Sequence, residues 1–174
     1  MLSVPSHPLD AATESAGGEV MEYTHKQLCK IADKWLGKSK KANIRFQKFP
    51  IHVSEIVCTS VSETPDAIGW NYCHSCVIEV KVSHSDFVAD KKKPFRTNGE
   101  AMGNYRYYLC PENLIKESEL PDGWGLIYVN NKGKTKEMRE SKIFALNGKG
   151  IYNERCFLYS IARRMMNNKE LDVK

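Results

Sequence analysis

The sequence predicts an α/β protein with a central mixed β-sheet flanked by helices. Three observations lead there. Residues 76–82, "CVIEVKV", alternate apolar and polar side chains among β-branched residues, the mark of a strand. Residues 24–36 and 153–166 instead repeat their apolar positions every three or four residues, the mark of amphipathic helices. Between them the pattern runs helix, three strands, helix, strand, short helix, strand, and this mixed order suits helices packed on a mixed sheet.

Residues 1–20 are small and polar with two prolines and are expected to form a disordered leader, leaving 21–174 as a single domain. In the first helix Leu28, Ile31, Ala32 and Trp35 share a face. Thr24 and Gln27 have capping-box spacing, and Gly37 is a natural stop. Residues 44–49 and 51–59 are weaker strand candidates. Residues 67–70 and 76–82 are paired through a hairpin connection at 71–74. Residues 83–93 read as a helix, with Ser83 and Asp86 at its start and Pro94 just beyond its end. The aromatic run "YRYYLC" at 105–110 and "GWGLIYVN" at 123–130 read as strands. A short helix is expected at 112–119 and an edge strand at 142–146. A final helix over 153–166 should bury Leu158, Ile161, Ala162 and Met165.

Hydrophobic residues at 41% and charged residues at 27% are the composition of a soluble globular protein. No apolar run approaches the ~18 residues of a membrane span. The N-terminus lacks a basic start followed by an apolar block, so no secretory signal is expected and the chain is read as cytoplasmic. The net charge of +5 leans toward polyanionic partners and gathers in "KSKKANIR" and "DKKKPFR". Cys73 and Cys76 have the gap of a zinc knuckle, but no second ligand pair follows, so ordinary thiols are expected.

The strand at 76–82 poses the chemical question. Its side chains alternate faces, so Ile78, Val80 and Val82 point to the core while Glu79 and Lys81 share the other face, about 7 Å apart along the strand. A solvent-facing ion pair is the plain explanation. Asp66 adds a second one, because the hairpin would bring it near Glu79 and Lys81. Two carboxylates with open sides suit a hard divalent cation such as Mg²⁺, with the Val80 carbonyl as a further oxygen ligand.

"PD" at 65–66 followed by "EVK" at 79–81 resembles the PD-(D/E)xK nuclease superfamily. Over residues 65–129, "IEVKVSHSDFVADKKKP", "YRYYLCPENLI" and "ELPDGWGLIYV" are similar to MmcB-type DNA-repair nucleases and related phage proteins. The resemblance implies a restriction-endonuclease-like core and a metal-dependent DNA nuclease of repair or of phage and mobile-element processing. The alternative is a non-catalytic nucleic-acid-binding protein on the same fold. Carried over by position, Asp66 and Glu79 match the metal-binding acids and Lys81 the catalytic lysine. Mg²⁺ is the implied cofactor, with Mn²⁺ able to replace it. Members often place a carboxylate on the first helix, for which Glu22 is the candidate and Asp33 a more distant one. His84 departs from the usual residue at its position, and its role is left open. Both monomers and homodimers occur in the superfamily.

Lys91, Lys92, Lys93 and Arg96 follow the motif directly, where a helix would lay them along a phosphate backbone of DNA. A merely solvated face is the competing explanation. Tyr105, Tyr107 and Tyr108 are read as sheet residues before base-stacking ones, and Trp70 and Trp124 as core. Asp86 and Asp90 are read simply as helix residues, with Asp86 favourable near the N-terminal dipole.

Overall fold

A computed structural model describes residues 22–38, 48–61, 63–93 and 101–167. The expected leader, most of the 44–49 strand candidate and Arg96 lie outside the described residues. Six strands form one mixed sheet in chain order: β1 (Ile51–Ser54), β2 (Ala67–Trp70), β3 (Ser75–Val80), β4 (Tyr105–Pro111), β5 (Gly125–Val129) and β6 (Thr135–Arg139). Neighbours are antiparallel except for β3–β4 and β4–β5, which are parallel. Parallel neighbours need a crossover. Helix α2 (His84–Asp90) lies in the first, and a short 3₁₀ turn (Glu117–Glu119) in the second.

Helix α1 (His25–Gly37) starts where its capping box predicts. Thr24 Oγ1 accepts the Gln27 N–H at 3.3 Å, and the Gln27 carboxamide accepts the Thr24 N–H at 2.8 Å. Its apolar face, with Leu28, Cys29, Ala32, Trp35 and Leu36, covers one side of the sheet. There it meets Ala67, Cys76, Ile78, Val80, Tyr105, Tyr107 and Leu109, every second residue of three strands, as period-two alternation requires. Trp35 packs edge-on against Tyr107 with ring centroids 5.1 Å apart.

The opposite face carries two further clusters. Phe87 of α2 packs with Tyr108, Cys110, Trp124 and Leu126, and Tyr108 stacks on Trp124 at 4.5 Å. Phe157 of α3 (Gly148–Asn167) packs with Ile68, Trp70, Val77 and Met102. The three tyrosines and both tryptophans are therefore core residues, as their aromatic strand context predicts.

Several expectations are corrected. Strand β3 ends at Val80, and Val82 is exposed at 40% instead of facing the core. Residues 112–119 hold only the 3₁₀ turn. The edge strand is β6, not 142–146. Its sequence "TKEMR" is too polar to show alternation because one flank and much of one face meet water. It is reached through a turn in which Gly133 adopts φ +70° and its N–H bonds the Asn130 carbonyl at 2.9 Å. Helix α3 begins five residues earlier than expected and buries Asn153, Glu154 and Phe157, while Leu158 and Met165 are exposed. Glu154 explains the shift of face. Its carboxylate accepts hydrogen bonds from Ser75 Oγ (2.6 Å), Gly103 N (2.8 Å) and Trp70 Nε1 (3.2 Å), pinning the helix through a buried polar group that hydropathy treats as outward-facing.

Candidate functional site

The site forms where β2 and β3 run out. The hairpin pairs Ala67 with Ile78, and Asp66 stands just ahead of the first residue of β2. Asp66 is anchored by the strand it faces, its Oδ2 accepting the Val80 N–H at 2.8 Å. The N–H and C=O of one strand residue point to the same side, so the Val80 carbonyl also faces the Asp66 side of β3. The next residue turns the other way, and Lys81 N–H donates to the Leu109 carbonyl of β4 at 2.9 Å.

Glu79 and Lys81 share one face, but that face is not open to solvent. Both are only 3% exposed. The Lys81 ammonium lies 3.9 Å from Glu79, 3.4 Å from Asp90 and 3.8 Å from Asp86. The last two come from α2, whose cap, Ser83 Oγ accepting the Asp86 N–H at 3.2 Å, fixes where the helix starts. Asp86 and Asp90 are one turn apart and therefore face the same way. Asp90 is held further by Tyr108 Oη at 2.9 Å and Lys93 Nζ at 2.7 Å. The two aspartates, expected to be ordinary helix residues, thus form the carboxylate wall around the lysine. Their four-residue spacing, just after Lys81, was the available signal.

On the other side of Asp66 stands α1. Asp66 Oδ1 lies 3.2 Å from His25 Nε2, and His25 Nδ1 lies 3.4 Å from Cys29 Sγ. Burial foremost, then the carboxylates of Asp66, Glu55 and Glu79, push the Cys29 thiol up to about 12. It is His25 that reaches Asp66, whereas Glu22 is exposed ahead of the Thr24 cap. Asp33 lies two turns along and bonds His52 Nδ1 at 2.9 Å.

The basic run is arranged differently from a helix-borne row. Helix α2 ends at Asp90, and Lys91–Lys93 form the turn that follows. Lys91 donates to the Glu119 carbonyl at 2.9 Å and sits 5.0 Å from the Phe87 ring centre. Lys93 pairs with Asp90, and Lys92 is exposed. His84 bonds Glu119 at 2.7 Å. Glu119 is held below the usual carboxylate range, first by the Lys116 backbone N–H and then by His84. The two knuckle-spaced cysteines part company, Cys73 exposed in the β2–β3 turn and Cys76 buried against α1.

These elements define an α/β protein with a six-stranded mixed sheet and three α-helices among the described residues. None of those helices is long and apolar enough to cross a membrane. No protein-family model matches the chain, and no curated protein matches it. Among solved structures it is similar to the SPO1766 protein of unknown function from Silicibacter pomeroyi. The two share 21% identity with a TM-score of 0.49, over 68% of this chain and 80% of that one.

Proposed function

We propose that this protein is a Mg²⁺-dependent nuclease acting on DNA, with a restriction-endonuclease-like core of the PD-(D/E)xK type. The observation that supports this reading most is that Asp66, which precedes β2, and Glu79, Val80 and Lys81, at the end of β3, lie at neighbouring strand ends. Asp66 is tied to Val80, and Lys81 stands 3.9 Å from Glu79.

The donor chemistry fits a hard cation, since two carboxylates and a backbone carbonyl are all oxygen. Asp66, Glu79 and Val80 would hold Mg²⁺, which when bound supplies charge neutralisation at a scissile phosphate and acidifies a water. Mn²⁺ suits the same oxygens. Lys81 contributes a fixed positive charge beside Glu79, suited to orienting a water or stabilising negative charge that develops on a phosphate. Asp86 and Asp90 keep that ammonium in place, acting as positioning residues. Lys91, Lys92 and Lys93 are all exposed, and Lys92 among them is placed to meet a phosphate backbone.

The second reading is a non-catalytic nucleic-acid-binding protein, favoured by the deep burial of Glu79 and Lys81. A cleavage assay on single-stranded, duplex and branched DNA separates the two. Wild type is expected to cleave with Mg²⁺ or Mn²⁺ and to stop with chelator, while Glu79→Gln and Lys81→Met each lose at least about 100-fold. If wild type is as inert as both variants on every substrate while still binding DNA, the binding reading replaces the enzyme.

A further inference from the structure

We propose that His25, Cys29 and Asp66 form a site for one borderline divalent cation of the Zn²⁺ class, which shares Asp66 with the proposed magnesium site but differs from it in its nitrogen and sulfur donors. Among the described residues, this is the group of His, Cys, Asp and Glu side chains that brings three ligand atoms within 4.8 Å of one another. The inference does not depend on the nuclease reading.

Four observations carry it. First, the spacings suit coordination. Tetrahedral zinc with bonds of about 2.0–2.3 Å sets its ligand atoms roughly 3.3–3.6 Å apart. One ligand atom from each of His25, Cys29 and Asp66 lies within 4.8 Å of the other two, a spread that a small inward shift of the side chains closes to that spacing.

Second, the ligands are held in advance. His25 and Cys29 are four residues apart on one face of α1, and the Thr24–Gln27 capping box fixes the turn that carries His25. Asp66 spends Oδ2 on the Val80 N–H, which leaves Oδ1 aimed at His25.

Third, the donor set is selective. Imidazole and thiolate favour Zn²⁺ and its late-transition neighbours, whereas Mg²⁺ demands an octahedron of oxygens. Coordination replaces the thiol proton, which leaves to solvent.

Fourth, the site has a closed and an open side. Cys29 is fully buried, while the His25 and Asp66 side chains are 45% and 21% exposed. Three protein ligands with solvent on one side leave a fourth position for water. The plain alternative is a hydrogen-bonded Cys–His–Asp chain that holds α1 to the β2–β3 end and takes no ion.

The test uses the full chain, stripped of metal, with Co²⁺ as the spectroscopic probe. Expected is a near-ultraviolet sulfur-to-cobalt band that saturates at one equivalent and is abolished by added Zn²⁺. Cys29→Ser should abolish the band. Loss of an outer-shell partner alone weakens metal sites by about 10–100-fold, so His25→Asn should weaken Co²⁺ binding at least as much. His25 is half-exposed, so that variant stays folded and decides the matter if Cys29→Ser does not. Glu79→Gln should keep the band, so failure of the nuclease reading leaves this result intact. The proposal is overturned if wild type gives no band. It is equally overturned if the band survives His25→Asn unchanged, or if it disappears with Cys73→Ser instead of Cys29→Ser.

Discussion

Replacing Lys81 with methionine removes the positive charge from a nearly closed carboxylate cage while keeping most of the side-chain volume. At an effective dielectric of ~20, attraction at 3.4 Å is about 5 kcal/mol to Asp90, and at 3.9 Å about 4 kcal/mol to Glu79. Desolvating the ammonium offsets several kcal/mol of this. Asp86 adds little, because its side chain is 45% exposed and screened. Removing one partner of a buried pair costs about 3–5 kcal/mol. Asp90 keeps Lys93 and Tyr108, which points to the lower end, about 3 kcal/mol. For a chain of this length that corresponds to a fall in Tm of about 6–12 °C.

Urea and thermal unfolding of Lys81→Met, Glu79→Gln and the double variant measure this directly. The double variant should recover much of the loss, since neutralising Glu79 removes one of the carboxylates left behind. A cost for Lys81→Met below ~1 kcal/mol, the range of an exposed pair, would refute the buried-cage reasoning. So would strict additivity in the double variant. The same data decide how cleavage assays of Lys81 variants are read, because a melted protein is inactive for an uninteresting reason.

Glu154→Ala strips the acceptor from three buried donors, Ser75, Trp70 and Gly103, and is expected to cost at least about 3 kcal/mol in urea unfolding, with Glu154→Gln costing less. Gly125→Ala would place a methyl 2.3 Å from Tyr107 Cε1 and 2.8 Å from the Arg139 carbonyl, a clash expected to cost about 1–3 kcal/mol and to lower Tm accordingly. The Cys29 and Cys110 thiols, both pushed up to about 12 chiefly by burial, hold only about one part in 10⁴ as thiolate at pH 8. Iodoacetamide at that pH should therefore modify the exposed Cys73 first, with mass spectrometry finding Cys29 and Cys110 labelled only after denaturation.

The sequence alone determined the local elements whose signals are short-range. The capping box of α1, the β2–β3 hairpin, the strand around Glu79 and the existence of strands β4 and β5 all follow from periodicity, turn residues and β-branched or aromatic content. It also singled out Glu79 and Lys81, because period-two alternation puts an acid and a lysine on one face whatever surrounds them, and Asp66, because it follows Pro65 just ahead of the strand joined through the hairpin. Where an element depends on partners distant in the chain, the pattern failed. The polar edge strand β6 exists because β5 offers it a ladder, and α3 turns its Glu154 side inward because Ser75, Trp70 and Gly103 wait there.

The surroundings of the site were likewise decided only by the tertiary structure. Packing α2 over β3 and β4 buries Lys81 and surrounds it with Asp86 and Asp90. Packing α1 on the other face brings His25 and Cys29 to Asp66, across some forty residues of chain. Local pattern reports which way a side chain points on its own helix or strand. Charge pairing and ligand clusters depend on distances between elements, and those are set only when the sheet and helices close on a common core.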